Sequence, residues 1–161
     1  MSVPLVIGIG NPTRSDDGAG HAVVHGLSRL VPGGTYRIVH QLTPDLAEDL
    51  SEASLVVFVD ASVRATTLQL VPVEPTPVAP GSHITTAGAL LHLTELVYGR
   101  RPGAALQVEI PAYEMGFGEE LSPWTATWVG RAIARLATHL GAEPRGQRAE
   151  AQTVVGDRGV H

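Results

Sequence analysis

The 161-residue chain contains neither cysteine nor lysine. Without cysteine there is no disulfide, no thiolate nucleophile and no sulfur-ligated zinc. Without lysine there is no Schiff-base chemistry, no serine–lysine dyad and no P-loop lysine. Aromatic residues make up 4% of the chain; Trp124 and Trp128 lie close together and offer no stacking platform for single-stranded nucleic acid. No basic cluster is longer than Arg100-Arg101 and the formal net charge is -5, which removes the electrostatic footprint of a nucleic-acid-binding protein. No apolar run approaches the roughly 18 residues of a membrane span. Met1-Ser2 lead into an apolar segment without a basic stretch or a small-residue cleavage site, so a cytoplasmic protein without a membrane partner is expected. A G-x-S-x-G elbow is missing as well, and a serine triad has no starting point.

What is present fits one ordinary globular domain: 43% hydrophobic and 17% charged residues, in a chain long enough to bury a core. Val3 to Ile9 is continuously apolar, as a parallel strand covered on both faces must be. A helix is expected from about Asp17 to Leu30, with Val23, Val24, Leu27, Leu30 and Val31 on its buried stripe. Tyr36 to His40 reads as a short strand, and Thr43-Pro44 opens a helix to about Glu52. Leu55 to Val59 is a third strand, with Asp60 just past its end. Leu68 to Val73 follows too soon for a parallel crossover and is expected antiparallel. Thr85 to Tyr98 reads as a helix with Leu90, Leu93, Leu96 and Val97 on one face. Ala105 to Ile110 is a strand, and Ser122-Pro123 opens a helix with Trp124, Trp128, Ile133, Leu136 and Leu140 towards the core. The alternation implies a single three-layer α/β/α domain over residues 1–141, with a mainly parallel twisted sheet of about five strands. Right-handed crossovers favour the spatial order 2-1-3, with a switch point between strands one and three.

The most informative segment is Val6-Ile7-Gly8-Ile9-Gly10-Asn11-Pro12-Thr13-Arg14-Ser15-Asp16-Asp17-Gly18-Ala19-Gly20. It runs from a buried strand through an acidic, glycine-flanked turn into a helix. Loops that bind phosphate at a helix N-terminus keep acids out, because the N–H groups and the dipole there attract anions. Two carboxylates in that place point to a cation, although one of them, Asp16, could simply cap the helix. Thr13 also stands where a dinucleotide fingerprint needs its third glycine. The 2-1-3 order puts Asp17 and Asp60 across one crevice, where ligands bind in such folds. Two facing carboxylates repel unless they share a proton or a cation. His83, behind the flexible Gly81-Ser82 step, can add an imidazole, and an O,O,N set suits a borderline ion such as nickel or zinc. Taken singly, Asp60 also fits a turn cap and His83 a satisfied loop histidine; their convergence favours the metal.

The opening segment resembles the signature of the nickel–iron hydrogenase maturation endopeptidases, in which a strand ending Gly-x-Gly-Asn precedes an acidic pair and Gly-x-Gly. Three further segments are similar in the same order: Val56-Val57-Phe58-Val59-Asp60-Ala61, Gly81-Ser82-His83-Ile84-Thr85-Thr86, and Ile110-Pro111-Ala112-Tyr113-Glu114 with Leu121-Ser122-Pro123. The resemblance implies that Asp17, Asp60 and His83 hold nickel supplied by the substrate, with no organic cofactor. The partner it implies is a hydrogenase large-subunit precursor, whose C-terminal extension is removed. Where many members carry an acid and glycines after the second strand, this chain has His40-Gln41-Leu42-Thr43-Pro44, a variant that looks like the branch serving cytosolic NAD-linked bidirectional hydrogenases.

His40 would border the crevice. Asp16 and a metal-facing carboxylate both stand as general-base candidates. His21 and His25, four apart on the first helix, lack the glutamate of H-E-x-x-H and read as a solvated face; His21, one turn from Asp17, is kept with His40 at the site periphery. Glu114, Glu119 and Glu120 read as a solvated loop. A non-proteolytic nickel-binding assembly factor is the alternative function. A flavodoxin-like small-molecule binder is disfavoured by the acids at the first helix terminus. Residues 142–161 carry no periodicity and have the composition of a disordered tail. Deleting the chain from Arg145 onward is therefore expected to leave the thermal midpoint and the activity unchanged. A fall of several degrees in a melting curve would show instead that the tail docks.

Overall fold

The computed structural model describes residues 3–141; the tail expected over 142–161 lies outside the described residues. A five-stranded sheet is formed by β1 (Leu5–Ile9), β2 (Thr35–Val39), β3 (Leu55–Ser62), β4 (Gln69–Pro72) and β5 (Ala104–Pro111), in the order β2-β1-β3-β5-β4. β1 pairs parallel with β2 and β3, β3 parallel with β5, and β4 antiparallel with β5. The expected 2-1-3 order and the antiparallel strand are both present. The link from β3 to β4 is only Val63–Leu68, too short for a parallel crossover. β4 therefore reverses direction and pairs beyond the place that β5 later fills.

Among the described residues four helices cover the sheet: α1 (Ala19–Leu30), α2 (Ala47–Glu52), α3 (Ala87–Tyr98) and α4 (Pro123–His139). Successive side chains of a strand point to opposite faces, and the core divides accordingly. Leu5, Ile7, Ile9, Val56 and Phe58 pack with Leu46, Leu50, Leu90 and Leu91 on the α2–α3 side. Val6, Val57, Val59, Val108 and Ile110 pack with Val23, Leu27, Val129, Ala132 and Leu136 on the α1–α4 side. Turns of 3-10 helix at Ser15–Gly18 and Pro44–Leu46 lead into α1 and α2. Thr86 and Ser122 cap α3 and α4, their hydroxyls accepting from the N–H groups of Ala89 and Thr125. Gly99, at φ 69°, closes α3 in the left-handed conformation common at helix C-termini.

Several expected faces differ. On α3 the buried row is Ala87, Leu90, Leu91 and Thr94, whereas Leu96 is 69% and Val97 61% exposed. The apolar run of α3 offers two candidate faces, and packing selects the one that carries Leu90 and Leu91. On α1, Leu30 is exposed, and on α4, Trp124 is exposed while Val129, Ala132 and Leu136 face the sheet. β3 continues past Val59 through Ser62, because β5 supplies pairing partners out to Pro111. Asp60 thus lies within the strand, beside Glu109 in register.

The start of α1 is pressed directly onto the sheet. A Cβ on Gly20 would stand 2.5 Å from the Val59 carbonyl oxygen and 2.6 Å from that of Ile9. Both are sheet backbone and have no room to yield. Gly20→Ala is expected to destabilise the fold by about 1–3 kcal/mol, the range of an overpacked core. Urea denaturation should show a lower midpoint with an unchanged m-value; an unchanged midpoint would mean that the helix lifts off freely.

Candidate functional site

The acidic turn lies where β1 ends. Gly10 adopts φ 141°, and a Cβ there would collide with the Asp17 carbonyl oxygen. Only glycine lets the chain fold back this tightly. Asn11 Oδ1 accepts from the Thr13 N–H and hydroxyl, at 3.0 and 2.6 Å, which closes a local Asx-type turn. Ser15 sits at φ 52°. Its hydroxyl donates to the Gly116 carbonyl and its N–H to that of Gly118, both at 2.8 Å. The strain of that left-handed serine is held in place by the loop between β5 and α4.

Asp16 is wholly buried. Its Oδ2 accepts from the N–H groups of Tyr113 and Glu114, at 2.9 and 2.8 Å, and from the Ser122 hydroxyl at 2.8 Å. Its Oδ1 accepts from the Ser122 N–H at 2.7 Å. Burial alone would raise this carboxyl, but the three amide donors and the hydroxyl outweigh it and hold the pKa below the usual carboxylate range. Neither role considered for Asp16 is the one it takes. Its side chain does not cap the adjoining helical turn, and a carboxylate occupied by four donors has a poor proton affinity and no free approach for a water. Asp16 is a structural anchor that ties the acidic turn to the start of α4.

Asp17 lies near enough to Asp60 for its charge to be felt there. Asp17 Oδ2 accepts the Asn11 N–H at 3.0 Å, which fixes the carboxylate beside the Gly10 turn. Asp60 is pushed up to about 6 by burial, by the charge of Asp17 and, more weakly, by that of Glu109, against a lowering contribution from the Ala61 N–H. Glu109 was not among the sequence candidates. The one signal for it was a charged side chain inside the Ala105–Ile110 run, whose other polar residue is Gln107. Asp60 opens into a cleft of about 390 Å³ lined also by Ile9, His40, Gln41, Leu42, Thr85, Thr86, Ala87 and Gln107.

His83 lies elsewhere. It is exposed and lines an adjoining cleft of about 340 Å³, which shares Gln41, Leu42 and Thr85 with the first. Among the described residues no three His, Asp or Glu side chains are jointly placed to hold a metal ion. The expected Asp17–Asp60–His83 triad is therefore not assembled in this conformation, although Asp60 feels the charge of Asp17. The donor chemistry still suits a divalent cation, whose charge would relieve the repulsion that lifts Asp60.

His21 corrects the solvated-face reading. It is buried, and its Nε2 lies 3.0 Å from the Val39 carbonyl oxygen. A carbonyl only accepts, so Nε2 carries the proton. The His21 ring meets the His40 ring edge-on at 6.3 Å between centroids. His25 is exposed as expected, and so are Glu114, Glu119 and Glu120.

No family model matches the chain, and no curated protein matches it. Among solved structures it is similar to the hydrogenase maturating endopeptidase HybD from E. coli: TM-score 0.67, 18% identity, covering 90% of this chain and 99% of that one. It is similar to the [NiFe] hydrogenase maturation protease HycI from Thermococcus kodakarensis KOD1, at TM-score 0.67 and 20% identity over 86% and 92%. The [NiFe] hydrogenase maturation protease HybD from Thermococcus kodakarensis gives TM-score 0.64 and 23% identity over 88% and 99%. At these identities the likeness establishes a shared fold across nearly the whole of each chain.

The raised Asp60 carboxyl has a pH signature. The folded protein holds a proton on it up to about pH 6, whereas the unfolded chain releases that proton near pH 4. Stability therefore falls as pH rises between those values, and above them the ionised Asp60 is a net burden. Asp60→Asn should be more stable than wild type at pH 7.5, with the gap closing as pH falls through 6 towards 4. Equal urea midpoints at both pH values would contradict the raised carboxyl.

Proposed function

We propose that the protein is an endopeptidase that removes the C-terminal extension from the nickel-loaded large-subunit precursor of a nickel–iron hydrogenase. What supports this reading is the raised Asp60 carboxyl on β3, which feels the charge of Asp17 from the turn after the neighbouring β1, in a fold similar to hydrogenase maturation endopeptidases. The four-segment sequence resemblance supports the same reading. Nickel enters as part of the substrate. The two carboxylates take hold of it and an imidazole from this chain completes the grip, so the scissile peptide of the precursor is laid beside the cleft. Holding the bond there supplies much of the rate, by the effective concentration that positioning gives. Water adds to the scissile carbonyl carbon, the carbon–nitrogen bond breaks, and the amine leaves with a proton. Asp16, with its oxygens already occupied, keeps the acidic turn in place and takes no part in the proton transfers.

Several finer assignments belong to the same reading. The His40-Gln41-Leu42-Thr43-Pro44 segment supports a substrate of the cytosolic NAD-linked type. Cytoplasmic action fits a chain in which no helix among the described residues is long and apolar enough to cross a membrane. The alternative, a nickel-binding assembly factor that does not cut, uses the same carboxylates and differs in its product.

With two carboxylates and one completing imidazole at most, the free protein should bind metal too weakly to retain it; resident catalytic zinc normally has three firm ligands. Chelator-treated, buffer-exchanged protein is expected to shorten nickel-loaded precursor by its C-terminal peptide and to leave nickel-free precursor intact, as read by mass spectrometry. Asp60→Asn, folded at the same pH, should release no peptide. Activity destroyed by chelation and restored by zinc would replace this reading with a conventional metalloprotease. Stable binding of the nickel-loaded precursor without any loss of mass would leave the assembly factor.

A further inference from the structure

Helix α4 was expected to turn both tryptophans towards the core, yet Trp124 is 60% exposed and Trp128 half-buried. They are the chain's only tryptophans. Trp124, Trp128, Arg131 and Arg135 recur at the three-and-four spacing that lines side chains along one helix face, and both arginines are exposed. Tyr113, from the loop after β5, joins the row. Its ring lies 5.9 Å from that of Trp124 between centroids, and its hydroxyl accepts the Trp128 Nε1–H at 3.3 Å. The Arg131 guanidinium stands over the Trp128 ring, 4.9 Å from its centroid. Single exposed apolar residues are ordinary on a protein surface, whereas rings that touch one another form a patch of the kind that marks an interaction site. Trp, Tyr and Arg are also the residues that anchor protein interfaces. The platform is stiff, because each ring has only two side-chain torsions and the Tyr113 N–H is bound to Asp16.

The charge of the row is one-sided. α4 contains no aspartate or glutamate, and the ion pairs among the described residues are those of Arg37, Arg100 and Arg101. In a chain of net charge -5, two guanidinium groups beyond an aromatic platform, with no carboxylate of their own among the described residues, complement carboxylates from outside. The acids of this region, Glu114, Glu119 and Glu120, stand in the loop ahead of α4, at the Trp124 end of the row. The two ends of the face therefore differ, one being aromatic and bordered by carboxylates, the other cationic. A phosphodiester backbone carries its charge uniformly and is repelled at the first end. A polypeptide can set apolar side chains on the rings and carboxylates on the arginines. We propose that this face of α4 docks a polypeptide segment of another protein, apolar at one end and rich in Asp or Glu at the other, with its acids over Arg131 and Arg135. Ser122, at the head of α4, is bonded to Asp16, so a segment held here keeps a fixed place relative to the acidic turn. The docking face goes beyond the proposed peptidase reading and stands independently of it.

The probe is a fluorescein-labelled synthetic peptide with a leucine-rich half followed by a glutamate-rich half, titrated with the full chain and read by anisotropy. Saturable binding is expected. Because both tryptophans lie on the face, the unlabelled peptide should also shift the protein's intrinsic emission to shorter wavelength. Trp124→Ala and Trp128→Ala should each weaken binding at least about tenfold, the scale of an interface anchor. Trp124 is the more exposed of the two, so its variant keeps the test sound if Trp128→Ala loses stability. Arg131→Glu combined with Arg135→Glu should lose the acidic peptide by a similar factor and gain the counterpart in which lysine replaces glutamate. Arg100→Glu, at an exposed arginine just past α3, should change neither. Equal binding of the two peptides by wild type, no saturable binding, or unchanged affinity in both tryptophan variants would each overturn the proposal. Displacement by oligothymidylate would overturn it in favour of nucleic acid, and displacement by a synthetic peptide of residues 142–161 in favour of the chain's own end. Emission that shifts with protein concentration alone, together with a dimer in sedimentation, would overturn it in favour of a second copy.

Discussion

The carboxylate of Asp16 accepts hydrogen bonds from Tyr113, Glu114 and twice from Ser122, and the geometry of the whole carboxyl edge depends on it. A buried carboxylate is tolerable only when its lone pairs are filled. Here the donors come from a segment about a hundred residues away, so filling them draws two distant pieces of chain together. The Asp16 N–H returns a bond to the Glu114 carbonyl at 2.9 Å. Ser122 passes the connection on, since the hydroxyl that donates to Asp16 also caps α4 by accepting the Thr125 N–H. Charge-assisted bonds of this kind contribute roughly 1.5–3 kcal/mol each when considered singly.

What the anchor holds in place is a pair of like charges. Asp17 is fixed by the Asn11 N–H on one side of the crevice, and Asp60 is fixed within β3 on the other, with Glu109 beside it in register. A loose site would relax by moving the carboxylates apart. A site built on a turn stitched at Gly10, Ser15 and Asp16 cannot relax in that way, and the raised Asp60 carboxyl is the result. The crevice is therefore selective by charge before any shape is considered: it favours a proton or a cation, and disfavours phosphate or a bare carboxylate.

The parts of this arrangement that were legible in the sequence are those set by short-range rules. Continuous apolar runs marked the central strands, link lengths gave the antiparallel β4, and the strand order brought the turn of Asp17 near enough to β3 for Asp60 to feel its charge. The parts that were not legible depend on contacts distant in sequence. Nothing near Asp16 announces that its partners are Tyr113, Glu114 and Ser122. His21 looked solvated because the buried sector of α1 was judged from Val23, Leu27 and Leu30. In the structure α1 also packs beside the end of β2, which covers His21 and leaves Leu30 exposed. On α3 an abundance of apolar residues made two faces equally plausible, and packing on α2 chose Leu90 and Leu91. The loop around His83 has no periodicity from which its cleft could be read.

The separation of 106 residues between Asp16 and Ser122 also bears on the order of events as the chain is made. Chains emerge N-terminus first, so the acidic turn leaves the ribosome long before the donors that will satisfy its buried carboxylate. Until α4 arrives, Asp16 must stay hydrated, and the turn that orients Asp17 has no reason to hold its left-handed Ser15. Closing so long a loop adds little entropy beyond closing a shorter one, but it places the contact among the most non-local in the fold, the kind that slows folding. The acidic turn is thus completed only once the start of α4 has been made, and a nascent chain carries all of β1, β3 and their carboxylates before the anchor that fixes the turn of Asp17 exists.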